Sequence, residues 1–231
     1  MTAGARPTFV LVPGAGGSAF YWHRVVAELA RRGVAGVAVE LPAGDDHAGL
    51  PEYAAAVVDA IDAIDTPIVV VAQSLGGFTA PLVCSQRTVS RLVLVNAMIP
   101  QPGETPGDWW GATGQAEARQ SFAADQGRAV PDDPFSDFFH DVPSHVVAEV
   151  MAQPEPRQAD LPFGQPLRIE RWPDVPTSVI VGADDRFFPA EFQIRVSQDR
   201  LGITPHVIPG GHLVALSHPG ELVDRLLRDL P

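Results

Sequence analysis

Lysine is absent from the 231-residue chain, although 16 arginines are present. The absence excludes Walker-type nucleotide sites, Schiff-base chemistry and the Tyr-x-x-x-Lys arrangement of short-chain dehydrogenases. Only one cysteine occurs, Cys84, so no internal disulfide can form. Its position among helix-compatible residues after an apolar strand predicts a buried packing residue and not a reactive thiol.

Positive charge is scarce, and the formal net charge is −12. An acidic chain without basic runs cannot gain affinity by displacing counterions from phosphates, so we expect neither nucleic-acid binding nor docking to a membrane. No apolar run reaches the roughly 18 residues that span a bilayer. The N-terminal stretch has no signal-type apolar region, and the expected location is therefore cytoplasmic.

Six short apolar stretches have the composition of buried strands, and helix-compatible sequence separates most of them. They are predicted at residues 8–12, 36–41, 68–71, 91–96, 177–182 and 204–208. This alternation predicts an α/β fold with a mostly parallel six-stranded sheet and helices on both faces. Residues 1–99 and 166–231 are assigned to this core, and residues 100–165 to an insertion.

The insertion differs in composition from the rest of the chain. Twelve of the 23 prolines lie between Pro100 and Pro176, together with a cluster of aromatic residues. Such density predicts an irregular, partly helical cap whose aromatic side chains cover a pocket, and a loosely packed satellite core is the alternative. The residues expected at the pocket from this part of the chain are Met98, Trp109, Trp110, Phe138 and Phe139.

A β-branched run, Ile68–Val71, precedes Ser74, which has the small residues Ala72 and Gly76 two positions away on either side. This pattern is typical of a nucleophile elbow, a strained strand-to-helix turn in which large neighbours would strike the backbone. The turn would place Ser74 at a helix N-terminus, whose free N–H groups favour an oxyanion. A turn without a catalytic role is the alternative, because such strings arise by chance in glycine-rich chains.

Other residues with useful chemistry also follow predicted strands. Asp184 and Asp185 follow the fifth strand, His212 follows the sixth, and the loop 13–17 follows the first. The carboxyl ends of parallel strands meet at one edge of a sheet, so we expect these residues near Ser74. In the order Ser, Asp, His they supply a nucleophile, a carboxylate that orients the base, and the base itself. Either aspartate fits the role of the carboxylate.

Five motifs are distributed over the chain: LVPGAGGSAFYW near the start, AQSLGGF around Ser74, FFHDVP in the insertion, GADDRFFP after the fifth strand and PGGHLVALSHPGEL near the end. Together they resemble the α/β-hydrolase fold family, specifically its small esterase and hydroxynitrile-lyase-like branch. The chain departs from the family pattern at Pro13 and Gln73, where histidine is usual. Both departures concern the pocket wall and no catalytic atom.

The resemblance implies a catalytic triad of Ser74, His212 and Asp185. Asp185 is chosen because it matches the family's acid in the pattern Gly-x-x-Asp-x-x-x-Pro. Backbone N–H groups of Ala15 and Leu75 would then bind the oxyanion.

The implied activity is hydrolysis of a small hydrophobic or aromatic carboxylic ester through an acyl-enzyme intermediate, with no cofactor and no metal. Gly14 and Gln73 are also expected at the pocket. Hydroxynitrile lyases of the branch carry threonine at the position of Gly14 and lysine after the catalytic histidine, where this chain has Leu213. The difference favours ester hydrolysis over C–C bond cleavage. The expected partner is a small-molecule ester, and a homodimer is one alternative for the assembly.

The main alternative is an NAD(P)-dependent oxidoreductase. Gly14-x-Gly16-x-x-Ala19 fits a dinucleotide-binding loop, and Glu40 follows about 20 residues later, where a ribose-binding acid belongs. A non-catalytic binding protein with a hydrolase fold is another alternative, because a fold does not determine function. Among enzymes, thioesterase, lactonase and perhydrolase activities stay open, whereas Ser74 excludes dehalogenases and epoxide hydrolases, which need a carboxylate nucleophile.

Overall fold

A computed structural model describes residues 6–133 and 135–228 of the chain. Within these residues, six strands form one sheet in which every adjacent pair is parallel, in the order β2-β1-β3-β4-β5-β6. The strands are β1 (Thr8–Val12), β2 (Ala35–Ala38), β3 (Ile68–Ser74), β4 (Arg91–Ala97), β5 (Thr177–Gly182) and β6 (His206–Ile208). The predicted α/β fold with a parallel six-stranded sheet is confirmed.

Helices connect the strands. In the described part of the chain the α-helices are α1 (His23–Arg31), α2 (Leu50–Ile61), α3 (Gly76–Gln86), α4 (Pro106–Thr113), α5 (Gln115–Asp125), α6 (Phe135–Phe139), α7 (Ser144–Met151), α8 (Ala190–Leu201), α9 (Val214–Ser217) and α10 (Pro219–Arg228). Two 3₁₀ helices cover Ala19–Trp22 and Leu161–Gly164. None of the described helices combines the length and the apolar character that a bilayer span requires.

Alternate side chains of the strands enter two separate cores. On β3, Val70 and Ala72 belong to the core that α2, α3 and α8 cover, whereas Val69 and Val71 belong to the core that α1 and α10 cover. Successive residues of a strand point to opposite faces, so a continuous β-branched run is buried on both sides. The predicted helices on both faces of the sheet are confirmed.

Two strands are shorter than the sequence patterns predict. The second strand ends at Ala38. The N–H of Val39 still donates to the carbonyl of Leu11 on β1, whereas the N–H of Leu41 donates to the carbonyl of Gly17, outside the sheet. The sixth strand begins at His206 because Pro205, directly before it, has no N–H to donate to a neighbouring strand.

The helices α4 to α7 lie between β4 and β5, where the sequence predicts a partly helical insertion. Part of this segment enters the main core, because Trp109 is fully buried against Phe188 and Phe192. The boundaries at residues 100 and 165 stay a prediction, and residues 1–5 and 229–231 of the assigned core lie outside the described residues.

Gly77 provides a test of the close packing of α3 on β4. A Cβ at this position would overlap the backbone carbonyl oxygen of Met98, which cannot move aside as the tip of a flexible side chain can. We expect Gly77→Ala to lower the free energy of unfolding by about 1 to 3 kcal/mol, the usual cost of overpacking a core. Urea denaturation measures the change.

Gly111→Ala in α4 is the matched control, because a Cβ there meets no atom within 4 Å. Alanine also favours a helix over glycine, so this variant should be as stable as the parent or more stable. An equal loss of stability in both variants would contradict the packing argument.

Candidate active site

Ser74 is the last residue of β3 and has a left-handed backbone conformation, with φ of 49°. Helix α3 begins at Gly76, so the chain passes from strand to helix within two residues. A Cβ at Gly76 would lie 2.7 Å from the carbonyl oxygen of Pro13, which explains the need for glycine there. Positive φ at a serine costs about 1 to 3 kcal/mol and persists only where surrounding structure holds it. The strand-to-helix turn that the sequence predicts is present.

The structure brings together the three side chains of the predicted triad. Nε2 of His212 lies 3.2 Å from Oγ of Ser74, and Nδ1 of His212 lies 2.8 Å from Oδ2 of Asp185. The residues lie at the carboxyl edge of the sheet, with Ser74 at the end of β3 and Asp185 and His212 in the loops after β5 and β6. Asp185 is completely buried and His212 is 2% exposed. The three groups therefore form one continuous chain of polar contacts.

Asp185 and not Asp184 faces the imidazole. Oδ1 of Asp185 accepts hydrogen bonds from the backbone N–H groups of Phe187 and Phe188, each at 2.8 Å. Its Oδ2 accepts a third hydrogen bond from Nε2 of Gln193, at 3.2 Å. Asp184 is exposed, and its carboxylate accepts a hydrogen bond from the N–H of Gly210. Donors on several sides fix the orientation of the Asp185 carboxylate toward His212.

Asn96 holds the loop that carries His212. Its Nδ2 donates to the carbonyls of Gly211 and His212, at 2.9 and 3.2 Å, and its Oδ1 accepts from the N–H of Gly182 at 2.7 Å. The side chain is fully buried, and its backbone φ is 44°. Asparagine suits this position because it both donates and accepts and also tolerates positive φ. The sequence patterns did not predict this role.

Asp141, in the FFHDVP motif, holds the same loop from the opposite side. Its Oδ2 accepts a hydrogen bond from the N–H of Gly211 at 2.6 Å. The neighbouring Phe138 ring stacks on the imidazole of His212, with ring centroids 5.2 Å apart. The motif in the insertion was a sign of this contact, although only its residues Phe138 and Phe139 were expected near the site, as pocket residues.

The two residues predicted to donate backbone N–H groups to the oxyanion lie at the expected places in the chain. Leu75 comes directly after Ser74, and Ala15 lies in the loop after β1. Neither backbone N–H donates a hydrogen bond to another described residue. Gly14 brings this loop against the elbow, because a Cβ there would lie 2.8 Å from Cβ of Ser74 and 2.6 Å from Oε1 of Gln73.

A cavity of about 270 Å³ opens beside Ser74 and His212. Four of the predicted pocket residues line it: Gly14, Gln73, Phe138 and Phe139. Apolar residues that the sequence patterns did not predict also line it: Phe20, Tyr21, Val150, Leu213, Leu216, Pro154 and Pro156. Among the described residues of its wall, none is an aspartate, a glutamate or an arginine. The cavity is therefore suited to an uncharged, largely apolar molecule.

Met98, Trp109 and Trp110 do not line this cavity, and their assignment to the pocket was wrong. Met98 and Trp109 are buried in the core, where the indole N–H of Trp109 donates to the carbonyl of Ile99. Trp110 packs edge-on against the rings of Trp109 and Phe187. Aromatic composition cannot separate pocket from core, because both surroundings favour burial of large rings.

The glycine-rich loop after β1 shows contacts that differ from those of a dinucleotide site. Oε2 of Glu40, the predicted ribose ligand, accepts a hydrogen bond from the N–H of Ala19 at 2.6 Å. Gly14 abuts Ser74, so the loop is part of the elbow's surroundings. These contacts do not favour the oxidoreductase alternative. Within the described ranges, no group of three or more His, Cys, Asp or Glu residues has an arrangement that would hold a metal ion.

A model of the alpha/beta hydrolase family matches residues 9–225. The chain belongs to this family. The predicted fold and family are thus confirmed, and the match covers the elbow, the loop of Asp185 and the loop of His212. A search of curated proteins finds no match to the sequence.

Several solved structures resemble the hydrolase over almost its full length. Polyneuridine aldehyde esterase is 21% identical, with a TM-score of 0.76 over 96% of this chain and 98% of the other. A pyrethroid hydrolase from Sphingobium faniae JZ-2 is 20% identical, with a TM-score of 0.75 over 97% of each chain. An extracellular alpha/beta-hydrolase from a Paenibacillus species is 19% identical, with a TM-score of 0.75 over 96% and 98%. At these identities the likeness shows the fold alone. One of these neighbours is described as extracellular, and the cytoplasmic location of this chain stays a prediction.

The role of Asn96 can be tested through stability. Asn96→Ala should lower the free energy of unfolding by about 1 to 3 kcal/mol, because it leaves buried backbone groups without partners. The measurement is urea denaturation, with Gln126→Ala as control, since Gln126 is an exposed amide that bonds only at the surface. A loss no larger than that of the control would show that Asn96 does not hold the loop of His212 to the end of β5.

Proposed function

We propose that this hydrolase cleaves carboxylic esters through an acyl-enzyme intermediate on Ser74. The observation that carries the proposal is the contact chain from Ser74 Oγ through His212 to the buried Asp185, with Ser74 and His212 on the wall of an apolar cavity. The neighbours described as an esterase and as a pyrethroid hydrolase agree with ester hydrolysis.

The contacts define the steps of the reaction. With its proton on Nδ1, facing Asp185, His212 has Nε2 free to take the proton of Ser74 as Oγ attacks the ester carbonyl carbon. The carbonyl electrons move to oxygen, and the backbone N–H groups of Leu75 and Ala15 donate to the resulting oxyanion. His212 then returns the proton to the departing alcohol. A water molecule, activated by His212 in the same way, releases the acid from Ser74.

The cavity supports a small hydrophobic or aromatic ester as the substrate class. Its volume of about 270 Å³ is small, and rings or aliphatic side chains form most of its wall. A charged substrate would lose hydration without gaining an opposite charge from the described wall, which is unfavourable in an apolar pocket. Leu213, directly after His212, is part of this wall and provides no positive charge for a departing cyanide ion. Ester hydrolysis is therefore favoured over cyanohydrin cleavage.

We also propose that residues 100–165 act as a lid. Phe138, Phe139 and Val150 come from this segment and line the cavity. Phe138 also stacks on His212, so the segment covers the imidazole directly. Because apolar cover excludes water from the site, it strengthens the electrostatic interactions that stabilise the oxyanion.

A panel of p-nitrophenyl esters tests both the reaction and the substrate class. The acetate, butyrate and benzoate esters should be hydrolysed with higher kcat/KM than the hemisuccinate ester, which carries a carboxylate. Mandelonitrile should release no benzaldehyde above the buffer rate. Lyase activity without ester turnover would overturn the proposed function, and equal turnover of the charged ester would contradict the proposed substrate class.

Ser74→Ala is the control that assigns any activity to this site. It should lower kcat by about 10⁶-fold if the triad acts as a unit. A fluorophosphonate label should attach to Ser74, whereas Cys84 should not react, because burial raises the pKa of its thiol to about 12. Labelling of another residue in the parent protein would contradict the assignment of the nucleophile.

The two neighbouring aspartates permit a matched comparison. Asp185→Asn should lower kcat by about 10⁴-fold, because an amide at this position favours the wrong tautomer of His212. Asp184→Asn should keep nearly the parent rate, because Asp184 contacts the N–H of Gly210 and not the imidazole. Steady-state kinetics on p-nitrophenyl butyrate measures both. The reverse ranking would show that Asp184 is the acid of the triad.

A further inference from the structure

The loop after β1, residues 13–17, carries Ala15, the proposed oxyanion donor. Its backbone has much conformational freedom because it contains several glycines. Gly16 and Gly17 have φ values of 83° and 65°, in the left-handed region that glycine adopts easily. Inside the loop, the N–H of Gly17 donates to the carbonyl of Gly14 at 3.1 Å. A glycine pair gives little resistance to rotation, so contacts from outside the loop are needed to keep Ala15 in place.

One such contact comes from Gln158, 142 residues further along the chain. Its Oε1 accepts a hydrogen bond from the N–H of Gly16 at 2.9 Å. The other end of the same amide is also held, because Nε2 donates to Oη of Tyr53 at 3.0 Å and to the carbonyl of Ala159 at 2.8 Å. Tyr53 is buried on α2, and the N–H of Ala159 donates to Ala43 at 2.7 Å. The amide is thus fixed to the core, with its oxygen toward the loop.

The segment 154–159, which contains Gln158, also packs on the loop. A Cβ at Gly16 would lie 2.9 Å from Cβ of Pro156, so the proline ring packs directly on the backbone of Gly16. Pro154 and Pro156 form part of the cavity wall beside Ser74. The segment therefore contacts the loop both through an apolar surface and through one directed hydrogen bond.

We propose that Gln158 is a positioning residue that sets the oxyanion loop for catalysis, an inference that rests on the proposed function. The N–H of Gly16 and the carbonyl of Ala15 belong to one planar peptide group, so the bond to Gln158 fixes the orientation of that plane. This plane is joined through Cα of Ala15 to the preceding peptide plane, whose N–H is the proposed oxyanion donor. A shift of this plane that displaces Cα of Ala15 would move the Ala15 N–H relative to the oxyanion.

The effect falls on the transition state more than on substrate binding. An oxyanion donor interacts strongly only when the carbonyl oxygen becomes charged, and its benefit depends on correct placement before the reaction. Loss of the Gln158 contact should therefore lower kcat and leave KM nearly unchanged. A residue that served only as cavity wall would change KM instead.

Gln158→Asn tests the proposal, because it shortens the side chain and withdraws the oxygen from Gly16 while it keeps the amide. We expect kcat for p-nitrophenyl butyrate to fall about tenfold, less than the 10²- to 10³-fold that deletion of a donor itself costs. The Ki of a trifluoromethyl ketone, which forms a tetrahedral oxyanion on the serine, should rise by the same factor.

Gln165→Asn is the matched control. Oε1 of Gln165 accepts a hydrogen bond from the N–H of Leu50 at 2.7 Å. This contact has the same chemistry as that of Gln158, but it holds the start of α2 and not the oxyanion loop. This variant should be less stable than the parent but should keep the parent kcat and Ki. Should Gln158→Asn not fold, Tyr53→Phe removes one of the two acceptors of Gln158 Nε2 and should lower kcat with KM unchanged.

The outcomes separate the two proposals. If the parent protein hydrolysed no ester, both the proposed function and this inference would be refuted. A parent that hydrolyses esters while Gln158→Asn keeps its kcat and Ki would overturn only the role of Gln158. The role would also fail if Gln158→Asn changed KM alone.

Discussion

Close contact between backbones around Ser74 is the constraint on which the site depends. The loop after β1, the turn after β3 and the residue that follows β4 approach one another closely there. Gly14, Gly76 and Gly77 make this possible, because a Cβ at each would strike Ser74, Pro13 or Met98. The backbones cannot shift independently, so the strained φ of Ser74 is retained and its hydroxyl is presented at the edge of the sheet.

The position of the His212 imidazole depends on contacts to the backbone of residues 211 and 212 as much as on the contact with Asp185. Asn96 binds the carbonyls of Gly211 and His212 from within the core, and Asp141 binds the N–H of Gly211 from the insertion. Asp185 is itself held by backbone N–H groups and by Gln193. Such supporting contacts limit the range of imidazole orientations, which is what a proton transfer over hydrogen-bond distance requires.

The proline-rich part of the chain between β4 and β5, which includes residues 154–159, has three physical uses. Trp109 completes the main core, Phe138 and Phe139 form cavity wall, and two polar side chains, Asp141 and Gln158, bind the loops that carry the proposed chemistry. One segment can serve all three because irregular backbone lets neighbouring residues point in unrelated directions, which a long helix or strand does not allow. Composition indicated burial of its aromatic residues and did not distinguish these surroundings.

The sequence by itself determined the sheet, the order of its elements and the elbow. These depend on local patterns: β-branched runs, helix-compatible stretches between them, and small residues around Ser74. The family pattern already indicated Asp185 as the aspartate that faces His212. Tertiary structure decided which aromatic rings reach the cavity, and what Asn96, Asp141 and Gln158 do. Asn96 and Gly211 are 115 residues apart, and Gly16 and Gln158 are 142 residues apart. No local pattern encodes such pairs, because a side chain's partner across the fold depends on how the strands and loops come together in space.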